Sequence, residues 1–352
     1  MTDSLLDRLV DWDVANATAR RMARPGPQVS ASEAADVVAQ LHQLAISAQP
    51  HVQAITTMAA PSRDAQVLVV DRPGWVSANL VSLRAMLEPV VDKLTARRGL
   101  DPGPLAAAIG GKVTGAQAGG MLAFFSTKVL GQYDLHPGGT PRLLLVAPNV
   151  VQTEREMGVD PTDFRRWVCL HEETHRVQFT AVPWLRQHIL DEARGLATDL
   201  APDPSTLVHT LTDVARRLPG VLRGDDGSLL DLFATPAQRE RLAKVTAVMS
   251  LLEGHADVVM DEVGPGVVPS VAVIRERFSQ RRGGTDPRDR LLRRLLGLEA
   301  KMRQYRDGAR FVRAVVEQVG MTGFNQVWDS PDTLPTPREV ADPRAWVRRV
   351  HG

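Results

Sequence analysis

The chain has 352 residues, 43% hydrophobic and 24% charged, enough for one large domain or two ordinary ones with an apolar core. A net charge of +1 argues against a polyanion binder recognised by charge alone, and a single cysteine, Cys169, excludes an internal disulfide framework and suits a reducing cytoplasm. The 27 glycines and 24 prolines are ordinary values, which excludes collagen-like and low-complexity classes.

Residues 1–12 contain no uninterrupted apolar run, so no signal peptide is expected. Helical periodicity predicts helices over Ser32 to Ala48 and Val76 to Arg98. The stretch from Leu105 to Phe125 is the most membrane-like. It carries Lys112, and its small residues recur as Gly111, Gly115 and Gly119, which predicts closely packed backbone in place of a membrane span. Leu143-Leu144-Leu145-Val146, closed by Ala147-Pro148-Asn149, reads as a buried strand. Asp160-Pro161 opens a helix that should run to about Thr180, before Pro183 begins another. Thr235 and Gln238 stand in capping-box register and open a long helix ending near Gly264-Pro265-Gly266. Asp286-Pro287 should open another, and the Pro-rich stretch from Ser330 to Pro343 should be extended.

The expected fold is mainly α with a small β-sheet. An N-terminal helical region, 1–130, would pack on a catalytic region, 131–352, with no clear linker between them. Five of the 42 basic residues are lysines, a bias attributable to a GC-rich genome. Residues 275–350 carry 17 Lys/Arg against 10 Asp/Glu, which predicts a solvated basic surface.

Chemistry concentrates at residues 171–175, His-Glu-Glu-Thr-His, an H-E-x-x-H motif inside a predicted helix. Four residues advance a helix by about 400°, so His171 and His175 share one face, one turn apart. Both imidazoles can then reach one zinc ion. Glu172 is rotated about 100° away, beside the metal, where it can take the proton of an attacking water. Phe164, Val168 and Phe179 share the histidine face, which points it inward.

A third ligand is needed. The metzincin solution requires glycine and histidine where this chain has Gln178 and Ala181, so that class is excluded. Glu253-Gly254-His255-Ala256-Asp257 supplies an E-x-x-x-D pattern on a later helix. Glu253 lies among Met249, Leu251, Leu252 and Met260, a costly place for an unpaired carboxylate and a natural one for a metal ligand. His255 is the alternative ligand. Asp257, one turn on, could accept a hydrogen bond from a ligand histidine, and Gly254 would let its helix approach the motif helix closely. Tyr133 and Tyr305, the two tyrosines, are candidate phenolic donors to a developing oxyanion, with His188 a weaker one. His42, His51, His136, His209 and His351 have no ligand-like spacing.

His171 to His175 with Glu253 and Asp257 resemble the gluzincin arrangement of zinc metallopeptidases. The wider chain, from about residue 80 to 350, resembles an actinobacterial zincin-like family of unknown function, labelled as associated with deazaflavin-coenzyme biosynthesis. The stretches that carry this are Leu130 to Asp134, Ala147-Pro148-Asn149, His171 to Phe179, Glu253 to Asp261, Lys301 to Tyr305 and Trp346 to Val350. The resemblance implies a zincin-like, mostly helical fold and no particular substrate.

The expected function is that of a zinc-dependent hydrolase, a peptidase or amidohydrolase, with Zn2+ held by His171, His175 and Glu253 and with Glu172 as general base. The strand from Leu143 to Val146 would align a peptide or small amide substrate. The alternative is a catalytically silent zincin-fold binding or assembly protein. Neither a nucleic acid nor a membrane is an expected partner, since Trp328 and Trp346 are too few and too scattered to stack bases.

Overall fold

A computed structural model describes residues 4–60, 66–98, 104–200, 235–282 and 298–352. Contacts group the chain into two units, one of residues 1–186 with 259–278, the other of residues 187–258 with 279–352.

The sheet of the first unit is built around its most apolar segment. Leu143, Leu144, Leu145 and Val146 have no solvent exposure, as a strand covered on both faces requires. This strand, β3 (Arg142–Val146), is the middle of three. β1 (Gln66–Val70) pairs with it in parallel and β2 (Gly131–Asp134) antiparallel, in the order β1-β3-β2. Val70 stands opposite Val146, and Tyr133 opposite Leu143. The far end of β2 is tied down through Asp134, whose carboxylate accepts from Ser82 Oγ (2.8 Å) and Arg142 Nε (2.9 Å).

Around this sheet lie α1 (Leu5–Leu9), α2 (Trp12–Met22), α3 (Ala31–Thr56), α4 (Arg72–Arg98), α5 (Pro104–Phe125), α6 (Ala147–Met157) and α7 (Pro161–Ala181). Their starts follow local chemistry. Ser30 Oγ accepts from Glu33 N (3.1 Å) ahead of α3, and Asp160 Oδ1 from Asp163 N (2.9 Å) ahead of α7. α3 continues past the expected end at Ala48, through Pro50, to Thr57, whose left-handed backbone (φ 54°) closes it. α3 and α6 both pack on α7. A buried fork from Arg165 to Glu154 (2.5 and 3.0 Å) holds α6 to α7.

The small residues of α5 serve the packing predicted for them. Gly111 lies beside the Arg8 carbonyl, and a Cβ at Gly115 or Gly119 would collide with the carbonyl oxygen of Asp11 or Ala15. Among the described residues no helix is long and apolar enough to cross a membrane.

The second unit contains most of α8 (Leu185–Leu200) and α9 (Pro236–Val263), and all of the described part of α11 (Leu298–Phe324); α10 (Val271–Arg282) lies mainly in the first. The Thr235–Gln238 capping box forms at the start of α9, with Gln238 N donating to Thr235 Oγ1 (3.2 Å), and Gly264 (φ 64°) follows its end. Gly254 admits a neighbour, but that neighbour is α11, since a Cβ there would strike the backbone at Gly308 and Ala309. The expected helix start at Asp286-Pro287 lies outside the described residues.

The stretch from Ser330 to Pro343 is not extended. It holds a 3-10 turn (Pro331–Thr333) and α12 (Pro337–Ala341), and α13 (Pro343–His351) follows. Pro331, Pro337 and Pro343 occupy first-turn positions, where a missing N–H costs nothing, so they start helices. Thr336 and Glu339 form a reciprocal capping box, and Arg349 Nε donates to Glu339 (2.6 Å). The buried Trp346 ring meets Phe311 edge-on, and its Nε1 donates to the Thr333 carbonyl (2.7 Å).

Gly115→Ala is expected to lower stability by about 1–3 kcal/mol in urea unfolding, because the added methyl meets a fixed carbonyl. Gly110→Ala, whose Cβ would meet nothing within 4 Å, is expected to raise stability by about 0.5–1 kcal/mol.

Candidate metal centre

Helix α7 is buried along most of its length, with Phe164, Cys169, Leu170 and Val177 fully enclosed. Burial pushes the Cys169 thiol up, so it stays a neutral packing group. His171 and His175 are the partly exposed positions within the motif. Their rings stand at 90°, and their Nε2 atoms approach to 3.3 Å.

Two features outside the motif fix these rings. Gln178, fully buried one turn beyond, accepts through Oε1 from His175 Nδ1 (2.9 Å). That acceptor puts the proton on Nδ1 and leaves the Nε2 lone pair facing His171. Trp167, one turn before the motif, lies nearly parallel to the His171 ring, with centroids 6.3 Å apart. Sequence reasoning used Gln178 only to exclude the metzincins. Its spacing of three from His175 is the signal that it orients that ring.

The glutamates take different surroundings. Glu173 and Arg176 form a buried pair, with contacts of 2.5 and 2.7 Å, which occupies Glu173 away from the histidines. Burial pushes the Glu173 carboxyl above the usual range, against the pull of Arg176. Glu172 is buried under the start of β2. A Cβ on Gly131 would lie 2.5 Å from Glu172 Cγ and 2.7 Å from Oε1, so any side chain there would displace the Glu172 carboxylate. Two residues further along β2, the Tyr133 ring stacks on Phe179, centroids 5.5 Å apart and 12° from parallel. Phe179 is one turn beyond His175, so Tyr133 sits on the strand that covers the motif helix.

His171 and His175 each offer a ligand atom to one ion. The donor set fits zinc. Tetrahedral bonds of about 2.0–2.1 Å would separate two ligand nitrogens by about 3.3–3.4 Å, the spacing that the imidazoles already have. His255 is fully buried against the rings of Phe324 (5.3 Å) and Trp328 (5.6 Å), a packing role within the second unit. Asp257 is half-exposed and accepts from Arg313 (3.0 Å). The backbone of Tyr305 belongs to α11, and its side chain lies outside the described residues, as does His209.

The family model for zincin-like metallopeptidases matches residues 10–347. The chain belongs to that family. It implies a metal, usually zinc. No curated protein matches the chain. The chain is also similar to a crystal structure described as "a putative hydrolase with a novel fold" from Chloroflexus aurantiacus. The identity is 28% and the TM-score 0.69, over 97% of this chain and 99% of that one. Family and structural neighbour together support a hydrolase.

Gln178→Ala is expected to weaken zinc binding by about 10–100-fold in chelator competition, with the helix content of the protein unchanged.

Proposed function

We propose that the chain is a zinc-dependent peptidase or amidohydrolase acting on a peptide or small amide. The observation that carries this is the pair of converging imidazole nitrogens with the Glu172 carboxylate beside them on α7, under an edge strand. His171, His175 and Glu253 would hold the ion. Bound zinc supplies Lewis acidity to the scissile carbonyl and makes water a competent nucleophile near neutral pH.

Glu172 accepts the proton of the attacking water and returns it to the leaving amine. Gln178 keeps the His175 proton on Nδ1. Tyr133 is the phenolic donor within the first unit that can assist the oxygen on which charge develops, and Tyr305 is the second candidate for that role. Substrate alignment belongs to β2 and not, as the sequence suggested, to β3. Both edges of β3 are occupied by β1 and β2, whereas among the described residues β2 borders only β3. An extended substrate adding to β2 would gain main-chain hydrogen bonds directly above Glu172. A reducing, cytoplasmic setting suits a chain whose single cysteine is buried.

The test is metal analysis of protein purified without chelator, followed by peptide-library cleavage. About one zinc per chain is expected, lost in His175→Ala and Glu253→Ala and kept in His255→Ala. Loss in His255→Ala but not Glu253→Ala would reassign the third ligand. Glu172→Gln is expected to retain zinc and lose hydrolysis. Gly131→Ala is expected to retain zinc while cutting turnover by at least about tenfold, because Glu172 must turn away from the added methyl. Failure of the wild type to take up zinc would overturn the enzyme reading. Zinc without turnover on any library would leave a zincin-fold binding protein.

A further inference from the structure

Apart from the histidine site, the first unit holds a cavity of about 450 Å3 at the C-terminal ends of the parallel strands β1 and β3. Its volume is within the range of about 300–1,000 Å3 that holds small organic ligands. Crevices at such ends, where neighbouring parallel strands each hand over to a helix, are favourable ligand sites. Here α4 begins at Arg72 and α6 at Ala147, and both line the cavity. α3 and the segment 23–29 complete the wall. That segment runs so close to α6 that a Cβ on Gly26 would come within 2.5 Å of the Pro148 Cβ.

Most of the lining is hydrocarbon, including Val37, Val69 and Val151. Val29 and Val38, also in the lining, are each 37% exposed. The polar part is cationic. Arg72 is 3% exposed, and each of its hydrogen-bond acceptors is neutral. They are Asn149 Oδ1 (2.7 Å), the carbonyls of Arg24 (2.8 Å) and Pro25 (2.7 Å), and Gln152 Oε1 (2.5 Å). The Glu156 carboxylate stands one residue removed, taking a hydrogen bond from Gln152 (2.6 Å). A buried guanidinium whose direct acceptors are neutral, and whose charge Glu156 offsets only from beyond Gln152, is costly in an apolar wall.

Arg24 adds an exposed guanidinium to the lining, and among the described residues no carboxylate pairs with it. The acid in the lining, Asp71, already accepts from Gly74 N (2.7 Å). The N-cap of α6, Val146, offers no side-chain acceptor, so the positive end of that helix adds to the same field.

We infer that this cavity binds an organic carboxylate with an apolar body of roughly ten carbons, the head near Arg24, Arg72 and the start of α6, the hydrocarbon along Val37, Val69 and Val151. None of the lining residues belongs to the histidine site, so this binding does not depend on zinc or on hydrolysis.

The experiment is isothermal titration of the full chain with decanoate, decanol and acetate. Decanoate is expected to bind at about one per chain, decanol at least about tenfold more weakly, and acetate not measurably. Arg24→Ala is expected to weaken decanoate roughly fivefold, the worth of one exposed charge. Val38→Trp, at an exposed position of the lining, is expected to abolish binding while leaving the thermal melt unchanged. Equal binding of decanoate and decanol would overturn the proposal. So would decanoate binding that neither substitution alters, or no decanoate binding at millimolar concentration.

Discussion

Two imidazole nitrogens held 3.3 Å apart need a proton or a cation between them. The architecture around α7 sustains that arrangement. One helical turn sets the spacing of the two histidines. Gln178 settles which nitrogen of His175 carries the proton, and the Trp167 ring flanks His171. The sheet supplies β2, whose glycine brings a strand down onto Glu172. These are local contacts of rigid elements, and rigid support is what a metal centre needs to keep its ligands oriented.

Features set by nearby residues were legible in the sequence. The histidine pair follows from a helix and a spacing of four. The starts of α7 and α9 follow from Asp160 and Thr235 acting as caps, and the small-residue stripe of α5 from its four-residue period. Features set by distant partners were not. β2 is four residues long, begins with glycine and shows no alternation, so only its pairing with β3 makes it a strand. The order of the strands is equally non-local, and with it the choice of β2 over β3 as the open edge. Gly254 was recognised as a site of close approach, but its partner, α11, could not be read from its surroundings.

Proline misled in one place for a related reason. The density of prolines between 330 and 343 suggests extended backbone, yet each short element there begins with proline behind a polar or capping residue. Composition cannot distinguish a proline that forbids a helix from one that starts it. The Thr336–Glu339 capping box can, because it satisfies N–H groups that an extended chain would leave to water.

The doubled glutamate of the motif has a consequence for how this helix can vary. Glu172 and Glu173 are adjacent and chemically identical, and a repeat of that kind suggests a spare. Their surroundings make them non-equivalent: Glu173 is locked in a buried fork with Arg176, and Glu172 lies against Gly131. It cannot swing round to replace its neighbour without stranding a guanidinium in the interior. A substitution at one position therefore disturbs contacts that the other does not make. Position 172 meets the glycine of β2 and position 173 is tied to Arg176, so one turn of helix carries two separate sets of contacts.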